Sequence, residues 1–168
     1  CNETPELMPL TVSLSQKLVQ KLSWMQAALT LVSKDRVVET FVAAGGPLPP
    51  MAGPRVQPAF ELLAENSESV SICVFSFFAD NDGLLLRVNA PHSEMPEDAL
   101  SAQERQAAES LRERFQSGAV GFLAAAALPG EEWFLYAWPI VHRDRVVGMT
   151  TLTIRFDELR RGMSPLVQ

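Results

Sequence analysis

Residues 119–157 read AVGFLAAAALPGEEWFLYAWPIVHRDRVVGMTTLTIRFD, and this stretch decides the fold. Apolar runs at 119–128, 133–141 and 146–154 are separated by two turn signals, Pro129-Gly130 and the tetrad His142-Arg143-Asp144-Arg145. Short apolar runs around polar turns are the sequence form of an antiparallel meander. The last run is rich in Val, Thr and Ile, residues that suit a pleated, half-buried surface. The first contains alanines 124–127, which favour helix as well, so its strand character is the weakest of the three.

Working outward, a second strand pair precedes the meander. Residues 69–78 read SVSICVFSFF: Val70, Ile72 and Val74 alternate with Ser69, Ser71 and Cys73, and Phe75, Phe77 and Phe78 thicken the run. That pattern predicts a strand buried on at least one face. Asp80-Asn81-Asp82-Gly83 then predicts a turn and 84–88 the returning strand. The aspartates invite a calcium loop, but Phe78 stands two residues before Asp80 and Asn89 fills the twelfth position, so the spacing fails. Between the strand groups, Ser101 and Glu104 have the spacing of a capping box for a helix over 102–116. Ala108, Leu111 and Phe115 give that helix an apolar face, and Glu104, Arg105, Glu109, Arg112, Glu113 and Arg114 read as its solvated face.

Toward the N-terminus, Leu14, Leu18, Leu22, Met25, Leu29 and Val32 step by three and four, placing them on one stripe of a long helix over 10–32. The stripe fits packing on the chain's own sheet and also a seam with a second subunit. A second short helix is expected over 33–44, with Ser33 as N-cap and Gly45-Gly46 as its stop. Residues 47–58, PLPPMAGPRVQP, hold five prolines and read as a loop, followed by a short helix over 59–66. Residues 2–9 read as a lead-in, and 155–161 as an exit helix.

Length and composition bound the rest. A chain of 168 residues suits one domain with one core. No apolar run reaches eighteen residues, so no membrane span is expected inside it. A net charge of −6 without a basic block argues against a nucleic-acid partner. Of the two cysteines, Cys73 reads as a small buried hydrophobe. Cys1 fits a lipidated N-terminus left after signal cleavage, a free thiol or the edge of an excised domain. A Cys1–Cys73 disulfide stays open in an oxidising compartment.

Catalytic chemistry is thin. The two histidines, His92 and His142, fall in turns without metal-type spacing, and no nucleophile elbow, P-loop or zinc-protease motif occurs. No enzyme activity, cofactor or metal is expected. What remains is an aromatic cluster: strand alternation puts Phe134, Tyr136 and Trp138 on one face of the 133–141 run. Such a face is either plain core or the wall of a small-molecule pocket. Phe77 and Arg87 complete the candidate ligand set, Arg87 as the cation for an anionic ligand.

The segment AWPIVHRDRVVGMTTLTIRFDEL resembles the end of a Cache-type or PAS-like extracytoplasmic sensor domain. The resemblance lies in Pro139-Ile140, the polar turn 142–145, Val146-Val147-Gly148 and the strand to Ile154. The hairpin around Asp80–Gly83 is similar to the first hairpin of a PAS-like sheet. The resemblance implies an α+β domain with a PAS-like five-stranded antiparallel sheet, a long N-terminal helix and shorter flanking helices. It implies the periplasmic input part of a membrane-anchored receptor, anchored through segments outside this chain; the stripe on the N-terminal helix is what points to a dimer. Such domains bind small organic ligands and pass a shift through their terminal helices to a kinase, cyclase or chemotaxis module. The Tyr/Arg/Trp/Asp ligand signature of the better-marked Cache families is missing here. Two other classes stay open: a soluble or lipid-anchored interaction domain without a small ligand, and a cytoplasmic PAS-like module with a cofactor pocket.

Overall fold

A computed structural model describes residues 20, 22–63, 69–90, 102–121, 123–125 and 133–155. The chain is an α+β protein built on an antiparallel sheet. Its helices are α1 (22–33), α2 (Arg36–Ala43), α3 (Ala52–Leu62) and α4 (Ala102–Gln116). Its strands are β1 (Ser69–Ser76), β2 (Leu84–Asn89), β3 (Leu123–Ala125), β4 (Trp133–His142) and β5 (Arg145–Arg155), in the order β2-β1-β5-β4-β3. Four strands make the body of the sheet, while β3 is three residues long and pairs with β4 from Leu123↔Ala137 to Ala125↔Leu135.

The two hairpins form where the polar turns stand. In the β4–β5 hairpin, His142 pairs with Arg145, leaving Arg143 and Asp144 as a two-residue loop with φ of 51° and 63°. Positive φ at both positions is the type I′ geometry, whose twist matches that of paired strands. Pro139 is tolerated inside β4 because it lies past the last β3 partner, where no described strand needs its missing N–H. In the β1–β2 hairpin, Ser76 N donates to Gly83 O at 2.9 Å, and Asp82 Oδ1 accepts from Leu84 N at 3.1 Å.

Each sheet face carries its own helices. On one face Ile72, Val74, Tyr136, Ile140, Leu152 and Ile154 pack with Met25, Leu29 and Val32 of α1, Val38 and Val42 of α2, and Val56 and Phe60 of α3. On the other, Cys73, Phe75, Leu135, Ala137 and Met149 pack under Ala107, Ala108, Leu111 and Phe115 of α4. The described part of the leucine stripe, from Leu22 to Val32, therefore faces the chain's own sheet. Leu14 and Leu18, like the lead-in, the Ser101 cap, His92 and residues 156–161, lie outside the described residues.

Gly148 marks where α2 sits on the sheet. A Cβ there would overlap the carbonyl oxygen of Phe75 and reach within 2.5 Å of Val42 Cγ1. Beside it, Ser76 Oγ donates to Val42 O at 2.7 Å. Glycine is required by this close approach of helix and strand.

Three local expectations are corrected. Asp35, not Ser33, caps α2: its Oδ1 accepts from Val37 N and Val38 N, and its Oδ2 takes Arg55 at 2.8 Å. A carboxylate serves a helix N-terminus well, while Ser33 ends α1 and turns inward to Thr150. The proline-rich segment is not all loop, since α3 starts at Ala52. Pro54 stands in the first turn, where its missing N–H has no helical partner to lose; Pro58 lies inside the helix. Finally, Glu104 and Arg112 leave the solvated face of α4 and turn toward the protein.

Candidate functional site

Sheet register sets out the site. Arg87 of β2 pairs with Cys73 of β1, and Cys73 pairs with Thr151 of β5. The next row toward the sheet end is Asn89, Ser71 and Thr153. Directly paired residues point to the same face, so six polar or thiol side chains stand together on the α4 side. Sequence alternation explains the β1 part, because Ser71 and Cys73 are the partners of the apolar Ile72 and Val74.

From above, α4 contributes Glu104. Its Oε1 lies 3.7 Å from Arg87 Nη1 and its Oε2 is 3.5 Å from Thr153 Oγ1. Arg87 Nε donates to Asn89 Oδ1 at 3.2 Å. The two charged side chains are only 4% and 12% exposed. Burying both is costly unless they are paired and hydrogen-bonded. The hydroxyls of Ser71 and Thr151 are also buried; both lie against the Cys73 thiol and meet no other hydrogen-bond partner among the described residues.

Cys73 occupies the middle of this set as a free thiol. Burial pushes its pKa from 9.0 up to about 12; Arg87 pulls it partly back, Glu104 adds to the rise, and the nearby Thr151 and Ser71 hydroxyls lower it slightly. A thiol held that firmly protonated is a poor nucleophile, so Cys73 acts here as a small, polarisable wall.

The ligand set expected from the sequence does not converge. Tyr136 and Trp138 lie on the opposite face, packed with the core under α1–α3. Tyr136 is 5% exposed, and burial raises its phenol to about 12. Trp138 O accepts from Ser33 Oγ at 3.4 Å, and the same hydroxyl donates to Thr150 Oγ1 at 2.8 Å. The Phe134 side chain lies outside the described residues. Phe77 follows β1 on the α4 side, where Arg112 sits over its ring at 5.4 Å and donates to its carbonyl at 3.0 Å. Arg87 alone of the expected set stands in the polar cluster. Glu104, Ser71, Cys73, Thr151 and Thr153 escaped sequence reading because only register brings them to Arg87.

Two cavities border described residues elsewhere. A narrow one of about 10 Å³ lies among Phe77, Asp82, Arg105 and Arg112, and an open groove of about 730 Å³ runs past Ala27, Leu31, Asp35 and Leu62. Among the described residues no helix is long and apolar enough to cross a membrane, and no group of three His, Cys, Asp or Glu side chains is placed to hold a metal. No known family model matches the chain. A search for similar characterised proteins finds no match.

Proposed function

We propose that this chain is the ligand-binding input domain of a membrane-anchored, extracytoplasmic receptor, a PAS-like five-stranded domain behind a long N-terminal helix, and that it senses a small organic molecule. The observation that carries the reading is the buried polar cluster around Arg87 on the α4 face. Natural interiors rarely gather charged and hydroxyl side chains without a use for them, so a buried arginine and glutamate beside the Ser71 and Thr151 hydroxyls suit a polar guest. The order of elements supports the same reading: a hairpin, a covering helix and a final meander, with the N-terminal helices on the far face. Ligand taken up under α4 would be felt by β5, whose next residue, Thr150, is bonded to α1 through Ser33.

A thermal-shift screen of carboxylates, amino acids, purines and amines tests this. A ligand at a hundred times its dissociation constant should stabilise the folded chain by roughly 3 kcal/mol. The gain should vanish in Arg87→Gln. A hit insensitive to Arg87→Gln but lost in Trp138→Ala would move the site to the opposite face.

A second reading, a protein-interaction and dimerisation domain, draws on the open groove along α1 and α3, which exposes Leu31 and Leu62. Sedimentation of the wild type and of Leu31→Asp over a concentration series decides it: a dimer lost on substitution supports the reading, and a concentration-independent monomer removes it.

A further inference from the structure

We propose that α4 is a hinged lid, whose first half, 102–109, lifts from the sheet and uncovers the row Arg87, Cys73 and Thr151 while its second half stays seated. The motion gives the sensor reading above its route to the cluster, but it follows from how the helix is held, and its test uses no ligand.

The two halves of α4 are held by different forces. Among the described residues the first half buries only Ala107 and Ala108, whereas the second buries Leu111 and Phe115. Apolar stabilisation follows the area removed from water, so one methyl on each alanine anchors far less than a leucine and a phenylalanine. The second half has further anchors. Arg112 lies over the Phe77 ring and donates to the Phe77 carbonyl. Past the last turn, Gly118 N donates to Phe115 O at 3.2 Å and Ala119 N to Arg114 O at 3.0 Å, with Gly118 at a φ of 105°. These two bonds close the helix end as a Schellman motif.

The first half rests on charged contacts instead: Glu104 on Arg87 and Thr153 of the sheet, and Arg105 on Asp82 of the β1–β2 turn. Arg105 is exposed, and exposed ion pairs hold weakly. The Glu104–Arg87 pair is buried, so both groups regain hydration when the turn lifts, and that gain offsets much of the lost attraction. A segment with little buried apolar surface opens more cheaply than the whole domain. Cys73 packs in one cluster with Ala107 and Ala108 and feels the charge of Glu104, so it lies under the half that lifts.

Thiol labelling reads this motion. In a chain carrying Cys1→Ser, Cys73 is the one thiol left, and it is buried while α4 is closed. Its rate of reaction with an aromatic disulfide reagent should rise with urea at less than about half the slope of global unfolding, the mark of an opening that exposes part of the surface. Gln106 and Glu113 are both exposed on α4, one in each half. Without urea, Gln106→Gly should speed labelling about fivefold, the cost of a helical glycine, and Glu113→Gly by less than about twofold. Amide exchange of the unsubstituted chain gives a second readout: the amides of 107–109 should exchange faster than those of 112–115. If either glycine variant fails to fold by circular dichroism, the urea slope and the exchange pattern still decide. Labelling with the full urea dependence of global unfolding overturns the proposal. So does labelling that Gln106→Gly leaves unchanged or that both glycines speed alike, and so does equal protection of the two halves. Each of these removes the lid and leaves the ligand screen to decide the sensor reading.

Discussion

Replacing Gly148 with alanine tests how α2 is seated on the sheet. The added methyl overlaps the Phe75 carbonyl oxygen, which belongs to the paired strand β1 and cannot rotate away. It also meets Val42 Cγ1 at 2.5 Å. Overpacking of this kind costs about 1–3 kcal/mol. A shift of α2 would also stretch the buried Ser76–Val42 hydrogen bond, worth about 1 kcal/mol. The expected loss is about 2–4 kcal/mol, the sum of these two terms. Urea unfolding followed by circular dichroism should show a lower midpoint with an unchanged slope. Gly53→Ala is the control: it stands in α3 with nothing near its Cβ position, and alanine there should be neutral or stabilising by up to about 1 kcal/mol. Val42→Ala combined with Gly148→Ala separates the two clashes. Because the Phe75 backbone remains in the way, Val42→Ala should not rescue Gly148→Ala. A cost below about 0.5 kcal/mol for Gly148→Ala, the range of a neutral surface change, or full rescue by Val42→Ala, would refute the backbone argument.

Other outcomes follow from the same contacts. Asp35→Ala removes the α2 cap and the Arg55 ion pair and should cost about 1–2 kcal/mol in urea unfolding, with Asp35→Asn keeping most of the cap. Ser33→Ala should cost about 1–3 kcal/mol by stranding the Thr150 hydroxyl, whereas Ser33→Ala with Thr150→Val should recover much of it; strictly additive losses would count against the bond. Cys73 and Tyr136 both have raised pKa values, so the folded state holds these protons more tightly than the unfolded chain. Their contribution is complete below pH 9 and falls as pH rises toward 12. Alkaline unfolding should begin above pH 9, with Cys73→Ala flattening the early part. Absorbance of the single tyrosine should stay that of the neutral phenol until the chain unfolds; ionisation near pH 10 in the folded protein would contradict the burial.

The hairpins were legible because their signals are local. Alternation places most residues of β4 and β5, although the bulge at Ile140/Val141 puts Val147 and Met149 on opposite faces, and the tetrad 142–145 can only turn. A glycine inside a strand, such as Gly148, marks a bulge or a close backbone approach, but nothing local says that α2 is what approaches it. The α3 helix was hidden because five prolines suggest a loop, yet Pro54 falls in a first turn where no N–H is needed and Pro58 is carried inside the helix. The charged face of α4 was misread at Glu104 and Arg112, since long side chains on one helix flank can turn either way. Tyr136 and Trp138 share a face as alternation predicts, but Arg87 belongs to the other side of the sheet. Nothing local couples Arg87 to Cys73 or Tyr136 to Ile72; pairing across three strands does.

The most direct measurement is amide hydrogen exchange, with and without a ligand found in the thermal-shift screen. The sensor reading predicts protection along β1 and β5 around Ser71, Cys73 and Thr151, together with altered exchange in the first turn of α4. Protection confined to α1–α3 and the Tyr136–Trp138 side, with the α4 face unchanged, would contradict it.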